Sequence, residues 1–227
     1  MVKTLLWDVD GTLLDFVKSE IYGIRKCFEI FGLGNCTDDM LKRYSEINHK
    51  YWKMLERGEI TKQQVLHDRF VEFFSLEKIS FNQIDDFNNE YQLCLGDKVF
   101  FCDNAWETVT SLKGKVRQYA VTNGTSVAQK RKLTQSGLIG IFDDVFISDE
   151  IGCEKPSVGF FDAVQNKIGR FTHDDVMIIG DSLTSDIQGG NNAGIICCWY
   201  NPKQEKNTGG LKIDYEIKDI ADILNII

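Results

Sequence analysis

Aspartates recur in this chain where short apolar runs stop. Asp8 and Asp10 follow Thr4-Leu-Leu-Trp7, and Asp181 and Asp186 follow Val176-Met-Ile-Ile179. Four carboxylates gathered in one place repel one another, and such crowding is tolerated when a cation sits among them. Oxygen-only ligands select a hard ion, and at a phosphate site that ion is Mg²⁺. The alternative for any single Asp is a cap or turn residue, because a short carboxylate after a strand readily accepts local backbone N–H groups. A calcium loop does not fit, since Asp8-Val-Asp10-Gly11 has its Gly in the wrong place and no Glu closes the loop.

The elements that must carry these groups follow from the runs themselves. Thr4-Leu-Leu-Trp7, Tyr119-Ala-Val121 before Thr122-Asn123-Gly124, and Val176-Met-Ile-Ile179 before Gly180-Asp181-Ser182 read as buried strands ending in polar loops. Their apolarity is continuous rather than alternating, which implies burial on both faces, as in a parallel sheet. Further strands are expected at 144–148, 195–199 and 212–216, with helices over 103–113 (capped by Asp103), 126–136 and 157–168, the last opened by Pro156. Strands alternating with helices give an α/β, Rossmann-like parallel-sheet core, whose ligands sit beyond the carboxyl ends of the strands.

The segment 17–95 has no convincing strand. Ile21, Ile24, Phe28 and Phe31 recur at helical spacing. Thr37 reads as a helix start, and Thr61-Lys-Gln-Gln64 and Ser80-Phe-Asn-Gln83 both fit the capping-box pattern. Four helices inserted after the first strand predict an all-helical cap domain over 17–95, set above a core built from 1–16 and 96–227. The expected organisation is thus an α/β parallel-sheet core whose site the cap closes.

Composition narrows the partners. Of the 227 residues 43% are apolar, enough for a large core, and 26 basic against 34 acidic residues leave a net charge of −8. That balance argues against docking on a nucleic-acid polymer or an anionic membrane, so an anionic substrate needs a local positive site. The N-terminal apolar run is too short for a signal peptide, and no stretch approaches the ~20 apolar residues of a membrane span. A soluble cytoplasmic protein is expected. Seven cysteines without C-x-x-C spacing predict reduced, packed thiols, and His49, His67 and His173 lack the spacing of a zinc site.

Asp8-Val-Asp-Gly-Thr-Leu13, Thr122, Lys155-Pro156 and Gly180-Asp-Ser-Leu-Thr-Ser-Asp186 resemble, in order along the whole chain, the four motifs of the haloacid-dehalogenase-like hydrolase superfamily. The helical cap resembles that of the phosphoglycolate-phosphatase-type subclass. Within it, Asn48-His-Lys-Tyr-Trp52, Gly58-Glu-Ile-Thr61, His67 and Arg69-Phe70 are most similar to the YjjG-type pyrimidine nucleotide 5′-phosphatases.

The resemblance implies a role for each residue. Asp8 is the nucleophile that attacks phosphorus to give an aspartyl-phosphate. Asp10 is the general acid for the leaving alcohol and then the base for water, with a like-charge neighbour and partial burial raising its pKa. The Thr122 hydroxyl and the N–H groups of Asn123 and Gly124 hold phosphoryl oxygens, and Lys155 neutralises nucleophile and phosphate together. Mg²⁺ is bound by Asp8, the Asp10 carbonyl and Asp181, while Asp186 holds a metal-bound water or Lys155, with Ser182 assisting.

An acid at position 10 favours phosphoester hydrolysis over dehalogenation, because a halide leaves without a proton. The expected substrate is a small phosphorylated metabolite, here a pyrimidine nucleoside monophosphate. Sugar phosphates, phosphoglycolate and a phosphomutase reaction remain as alternatives. In the cap, Tyr51, Trp52 and Phe70 are candidates to stack on a base or to pack in the interior. Arg57, Arg69, His49 and His67 are open in the same way between substrate and structural roles. Gly189-Gly-Asn-Asn-Ala-Gly194 reads as a helix end rather than a phosphate loop.

Overall fold

A computed structural model describes residues 2–169, 172 and 174–227. Met1 and His173 lie outside the described residues.

Six strands form one sheet: β1 (Thr4–Trp7), β2 (Arg117–Thr122), β3 (Asp144–Ile147), β4 (Val176–Gly180), β5 (Ile196–Tyr200) and β6 (Tyr215–Ile217). The order is β3-β2-β1-β4-β5-β6, and every pair is parallel. The continuous apolar runs are buried on both faces, as expected. Leu5, Trp7, Met177 and Ile179 join the interior on one side, while Leu6, Val121, Val176 and Ile178 join it on the other. In register, Trp7 lies opposite both Ala120 and Ile179. The next residue of β1's path, Asp8, is therefore level with the ends of β2 and β4.

Helices α5 (Ala105–Leu112), α6 (Ser126–Gln135), α7 (Ser148–Ile151, one turn), α8 (Val158–Ile168) and α9 (Gln188–Ala193) connect the strands. Before them come α1 (Phe16–Ile30), α2 (Asp38–Glu56), α3 (Lys62–Leu76) and α4 (Ile84–Cys94). Among the described residues no helix is long and apolar enough to cross a membrane. The seven cysteines are free thiols.

Most helix starts follow the sequence. Thr37 accepts from Met40 N, and Thr61 and Gln64 complete both bonds of a capping box. Three places differ. Ser80-Phe-Asn-Gln83 makes no capping box: α4 begins only at Ile84, with no side-chain bond from its cap residue Gln83. Phe81 is drawn instead into the aromatic cluster, 4.9 Å from Phe74 between ring centres, and that burial holds the segment outside the helix. Asp103 does not cap α5. Asn104 takes that place in a left-handed conformation (φ 57°), which Asn tolerates, and its side chain bonds Asp219. Pro156 lies before Ser157, the residue that caps α8. The last strand also falls later than 212–216, because Asn191 bonds both Lys212 N and Lys212 O and holds that stretch as a loop. Gly194 (φ 66°) ends α9 as read.

The inserted helices pack around aromatic rings of their own. Phe28, Phe70, Phe73, Phe74, Phe87, Tyr44 and Tyr91 are all buried, with centroid separations such as 5.0 Å for Phe70–Phe87 and 5.3 Å for Tyr44–Phe70. Ala128 of α6 packs in the same cluster. The chain leaves and re-enters the sheet side by side, Asp15 N donating to Phe100 O (2.8 Å) and Cys102 N to Leu13 O (3.0 Å).

Candidate active site

Asp8 follows β1 and donates its N–H to Ile179 O (2.9 Å), so its backbone stays in the sheet while its side chain points past the strand ends. Three carboxylates, of Asp8, Asp181 and Asp186, have oxygens within 4.8 Å of one another. Asp181 comes directly after β4. Asp186 comes from a π-helical turn, Leu183–Ile187, in which Ser182 O accepts from both Asp186 N (2.9 Å) and Ile187 N (3.1 Å). Two glycines make the crowding possible. A Cβ on Gly180 would lie 2.2 Å from Asp186 Cγ, and one on Gly11 (φ 96°) would lie 2.7 Å from Asp181 Oδ2.

Lys155 compensates this charge. It is 1% exposed, and its Nζ donates to Asp8 Oδ1 (2.8 Å), Asp186 Oδ1 (2.6 Å) and Val121 O (2.8 Å). Its three N–H bonds all end on oxygen. Burial by itself would depress this ammonium, and the charges of Asp186 and Asp8 outweigh burial and hold it above the ordinary lysine value. Burial, then the charge of Asp186, pushes the Asp8 carboxyl well above its usual range, with Lys155 acting against them. Asp181 keeps an exposed face, yet desolvation by its surroundings and then the charge of Asp186 push it up to about 7. Burial and mutual repulsion thus both act against full ionisation of this carboxylate cluster.

The remaining residues divide into those that meet and one that does not. Thr122 ends β2, and its Oγ1 accepts from Gly124 N (3.2 Å). The Asn123 side chain exchanges bonds with the Lys155 backbone, Nδ2 to O and O to N, both 2.8 Å, and so ties the end of β2 to the loop that carries the lysine. Asp10 does not join the other three aspartates. The chain turns at Gly11, and the Asp10 carboxylate meets Lys132 Nζ (2.7 Å) and Gln129 Nε2 (2.6 Å) on α6. The expected like-charge neighbour is thus replaced by a cation and an amide.

Three contributions escape a reading of the sequence. Thr12 is fully buried; its Oγ1 lies 3.0 Å from Asp8 Oδ2 and 3.3 Å from Asp181 Oδ1 and accepts from Asp181 N (3.1 Å), so one hydroxyl sets two carboxylates. Gln129 and Lys132 look like an ordinary helix surface in sequence. Lys53 of α2 reaches from the insertion to Ser182 Oγ (2.9 Å) and Thr184 Oγ1 (2.7 Å), and the neighbouring Glu56 bonds the same two hydroxyls. Only the fold brings these side chains to the strand ends, and no spacing signals it.

The cap candidates resolve unevenly. Phe70 is interior, and Arg69 is buried with it, donating to Asn48 Oδ1 (2.8 Å) and Asn88 Oδ1 (2.9 Å). His67 pairs with exposed Asp85 (2.7 Å), and Arg57 pairs with Glu59 on the surface. Tyr51 and Trp52 are half-buried. His49 is held below the usual imidazole range by desolvation and then by Lys53.

A parallel sheet with a helical insertion after its first strand, and carboxylates gathered on a buried lysine at the strand ends, define a Rossmann-like α/β core with its site at the carboxyl ends of the strands. The chain belongs to the haloacid dehalogenase-like hydrolase family, which it matches over residues 2–194. It is 35% identical over 227 residues to the HAD-hydrolase YfnB of Bacillus subtilis (strain 168), covering 99% of this chain and 95% of that one. Its structure superposes on the solved structure of YfnB bound to magnesium with a TM-score of 0.92 and 34% identity, covering 99% and 98% of the two chains. It is also 35% identical over 229 residues to the pyrimidine 5′-nucleotidase PynA of Streptococcus pneumoniae (strain ATCC BAA-255 / R6), covering 99% and 94%. The pyrimidine 5′-nucleotidase YjjG of Escherichia coli (strain K12) is 25% identical over 225 residues, covering 98% and 96%.

Proposed function

We propose that this hydrolase cleaves small phosphomonoesters through an aspartyl-phosphate, with pyrimidine nucleoside 5′-monophosphates as its preferred substrates in the cytoplasm. The observation that carries the reading is the buried Lys155 joined to Asp8 and Asp186 beyond the sheet, with a separate carboxylic group, Asp10, at the same rim. One group is thereby available as nucleophile and another as acid.

In the first step an oxygen of Asp8 bonds to phosphorus, and the bond from phosphorus to the alcohol oxygen breaks. Asp10 gives that oxygen its proton. In the second, water attacks the aspartyl-phosphate, Asp10 takes the water's proton, and Asp8 and inorganic phosphate are released. Lys155 and the Thr122 hydroxyl, with the N–H groups of Asn123 and Gly124, balance the charge on the phosphoryl oxygens. The oxygen-only donor set of Asp8 and Asp181 fits a hard divalent cation. Asp186 has its oxygens engaged by Lys155 and Ser182 N (3.1 Å), which suits an outer position. Asp8, Asp181 and the Asp10 carbonyl would hold Mg²⁺, which when bound neutralises part of the charge on carboxylates and phosphate. The nucleotide preference is supported by the activities named for PynA and YjjG, two relatives aligned over nearly the whole chain.

Release of inorganic phosphate from a panel of monophosphates, with and without Mg²⁺, tests the reading. Pyrimidine nucleoside monophosphates should have the highest kcat/KM, chelation should abolish turnover, and Asp8→Asn should be inactive. Turnover by Asp8→Asn would overturn the mechanism. A ranking led by sugar phosphates or phosphoglycolate would overturn the nucleotide assignment, and isomerised sugar phosphate without free phosphate would mark a mutase.

A further inference from the structure

Helix α6 supplies two side chains to which no role has been given above. Gln129 and Lys132 stand nearly one turn apart, so they share a face of the helix, and each is 1% exposed. Both reach out of their helix to Asp10. Gln129 Nε2 lies 2.6 Å from one carboxylate oxygen and Lys132 Nζ lies 2.7 Å from the other. Each oxygen of Asp10 thus has its own donor, and the carboxyl plane is fixed at two points. The Asp10 side chain nevertheless keeps about a fifth of its surface open, 21%, against 2% for Lys132. The clamp holds both oxygens and still leaves part of the side chain open.

Several features tie this arrangement to Asp10 rather than to packing. Gln129 is buried although its Oε1 has no hydrogen-bond partner, a cost that cores ordinarily avoid. Lys132 is a buried ammonium, and burial of a charge is unfavourable unless it is paired; Asp10 is the carboxylate that pairs it, and the Phe16 ring lies 5.0 Å from its Nζ. Gly124 has no side chain just where Gln129 passes: a Cβ there would lie 2.1 Å from Gln129 Nε2. The loop after β2 is shaped to let the amide through. The helix is also anchored at its start, where Thr125 caps it and donates to Gln92 Oε1 (2.7 Å) of α4.

We propose that Gln129 and Lys132 are positioning residues that hold the Asp10 carboxyl with its open edge toward the leaving oxygen. The proposal rests on the reading of Asp10 as the proton donor. Neither side chain need touch substrate. Their effect is to remove the rotations that would turn the acid away from its target, because proton transfer in the transition state requires the donor within hydrogen-bond reach.

The test is leaving-group dependence, which a merely structural loss does not alter. 4-Nitrophenoxide departs from phosphorus without a proton, whereas phenoxide is more basic and needs one. We compare kcat/KM for 4-nitrophenyl phosphate and phenyl phosphate, in the presence of Mg²⁺, for the wild type, Lys132→Met, Gln129→Met and Asp10→Asn. This ratio reports only the steps through departure of the alcohol, so attack of water on the intermediate does not enter. Each clamp variant should lose roughly 10²-fold on phenyl phosphate, the scale of general acid catalysis, and much less on 4-nitrophenyl phosphate. Equal losses on the two esters, or none on either, would overturn the clamp.

Asp10→Asn separates the two ideas. If it is selective against phenyl phosphate and the clamp variants are not, the clamp alone fails. If it costs both esters equally, the acid role of Asp10 fails and the clamp with it. Thermal unfolding verifies that each variant is folded. Should Lys132→Met not fold, Gln129→Met, which leaves no charge without its partner, decides the matter.

Discussion

Lys155 donates to two carboxylates and a carbonyl at once, and that is why Asp8 and Asp186 can share a dry pocket. Asp181 has no bond to the lysine, and desolvation by its surroundings, then the charge of Asp186, raises its carboxyl to about 7. An unfolded chain would release this proton near pH 4. Between about 4 and about 7 the native protein therefore binds a proton that the unfolded chain has lost, and stability must fall as pH rises through that window. Metal-free protein should show a declining Tm from pH 4 to pH 7, Asp181→Asn should flatten the decline, and Mg²⁺ should stabilise most at the upper end. An unchanged slope in Asp181→Asn would remove Asp181 as its source. At this scale the sequence was legible where an acid follows an apolar run, as with Asp8 and Asp181, whereas Lys155 stood out only through the resemblance of Lys155-Pro156 to a family motif. The sequence was opaque for Thr12, Gln129 and Lys132, whose directions are set by how the Gly11 turn and α6 pack.

Helix α3 shows how one local pattern is read correctly and its twin is not. Thr61 and Gln64 close both bonds of their box, whereas Ser80 and Gln83 have the same residue types and close neither. The difference is Phe81, half-buried against Phe74 and Phe87, because tertiary packing outweighs a cap worth about 1 kcal/mol. Thr61→Ala should cost about 1 kcal/mol in urea denaturation, and Ser80→Ala should cost a small fraction of that. Equal costs would contradict the assignment of the two starts. The strands were legible for a simpler reason. Burial on both faces leaves a continuous apolar run that no helix of the core imitates, so errors there were confined to the ends, as in β6, where Asn191 fixes the approach.

Across the whole molecule the helical insertion meets the core through Ala128 of α6, which packs in the insertion's aromatic cluster, and through polar grips near the site. Lys53 and Glu56 hold Ser182 and Thr184, and Lys62 holds Ser148 (2.7 Å), Asp149 (3.0 Å) and Glu154 (3.2 Å). Partly exposed pairs of this kind contribute about 0–1 kcal/mol each, so each of these grips alone is a weak tie between insertion and core. Lys53→Ala should increase the radius of gyration of the metal-free protein in solution scattering and raise KM for a phosphomonoester while the fold is retained. Unchanged values of both would exclude Lys53 as a latch. None of these grips was legible, since each joins residues more than eighty positions apart.

The paired segments at the root of the insertion carry a consequence for ancestry. Where Asp15 meets Phe100 and Cys102 meets Leu13, the two ends of an excursion of more than eighty residues lie in contact, as at the neck of a bag. Because the two ends meet at one place, evolution can change the length of what lies between them while the strand ladder below still closes.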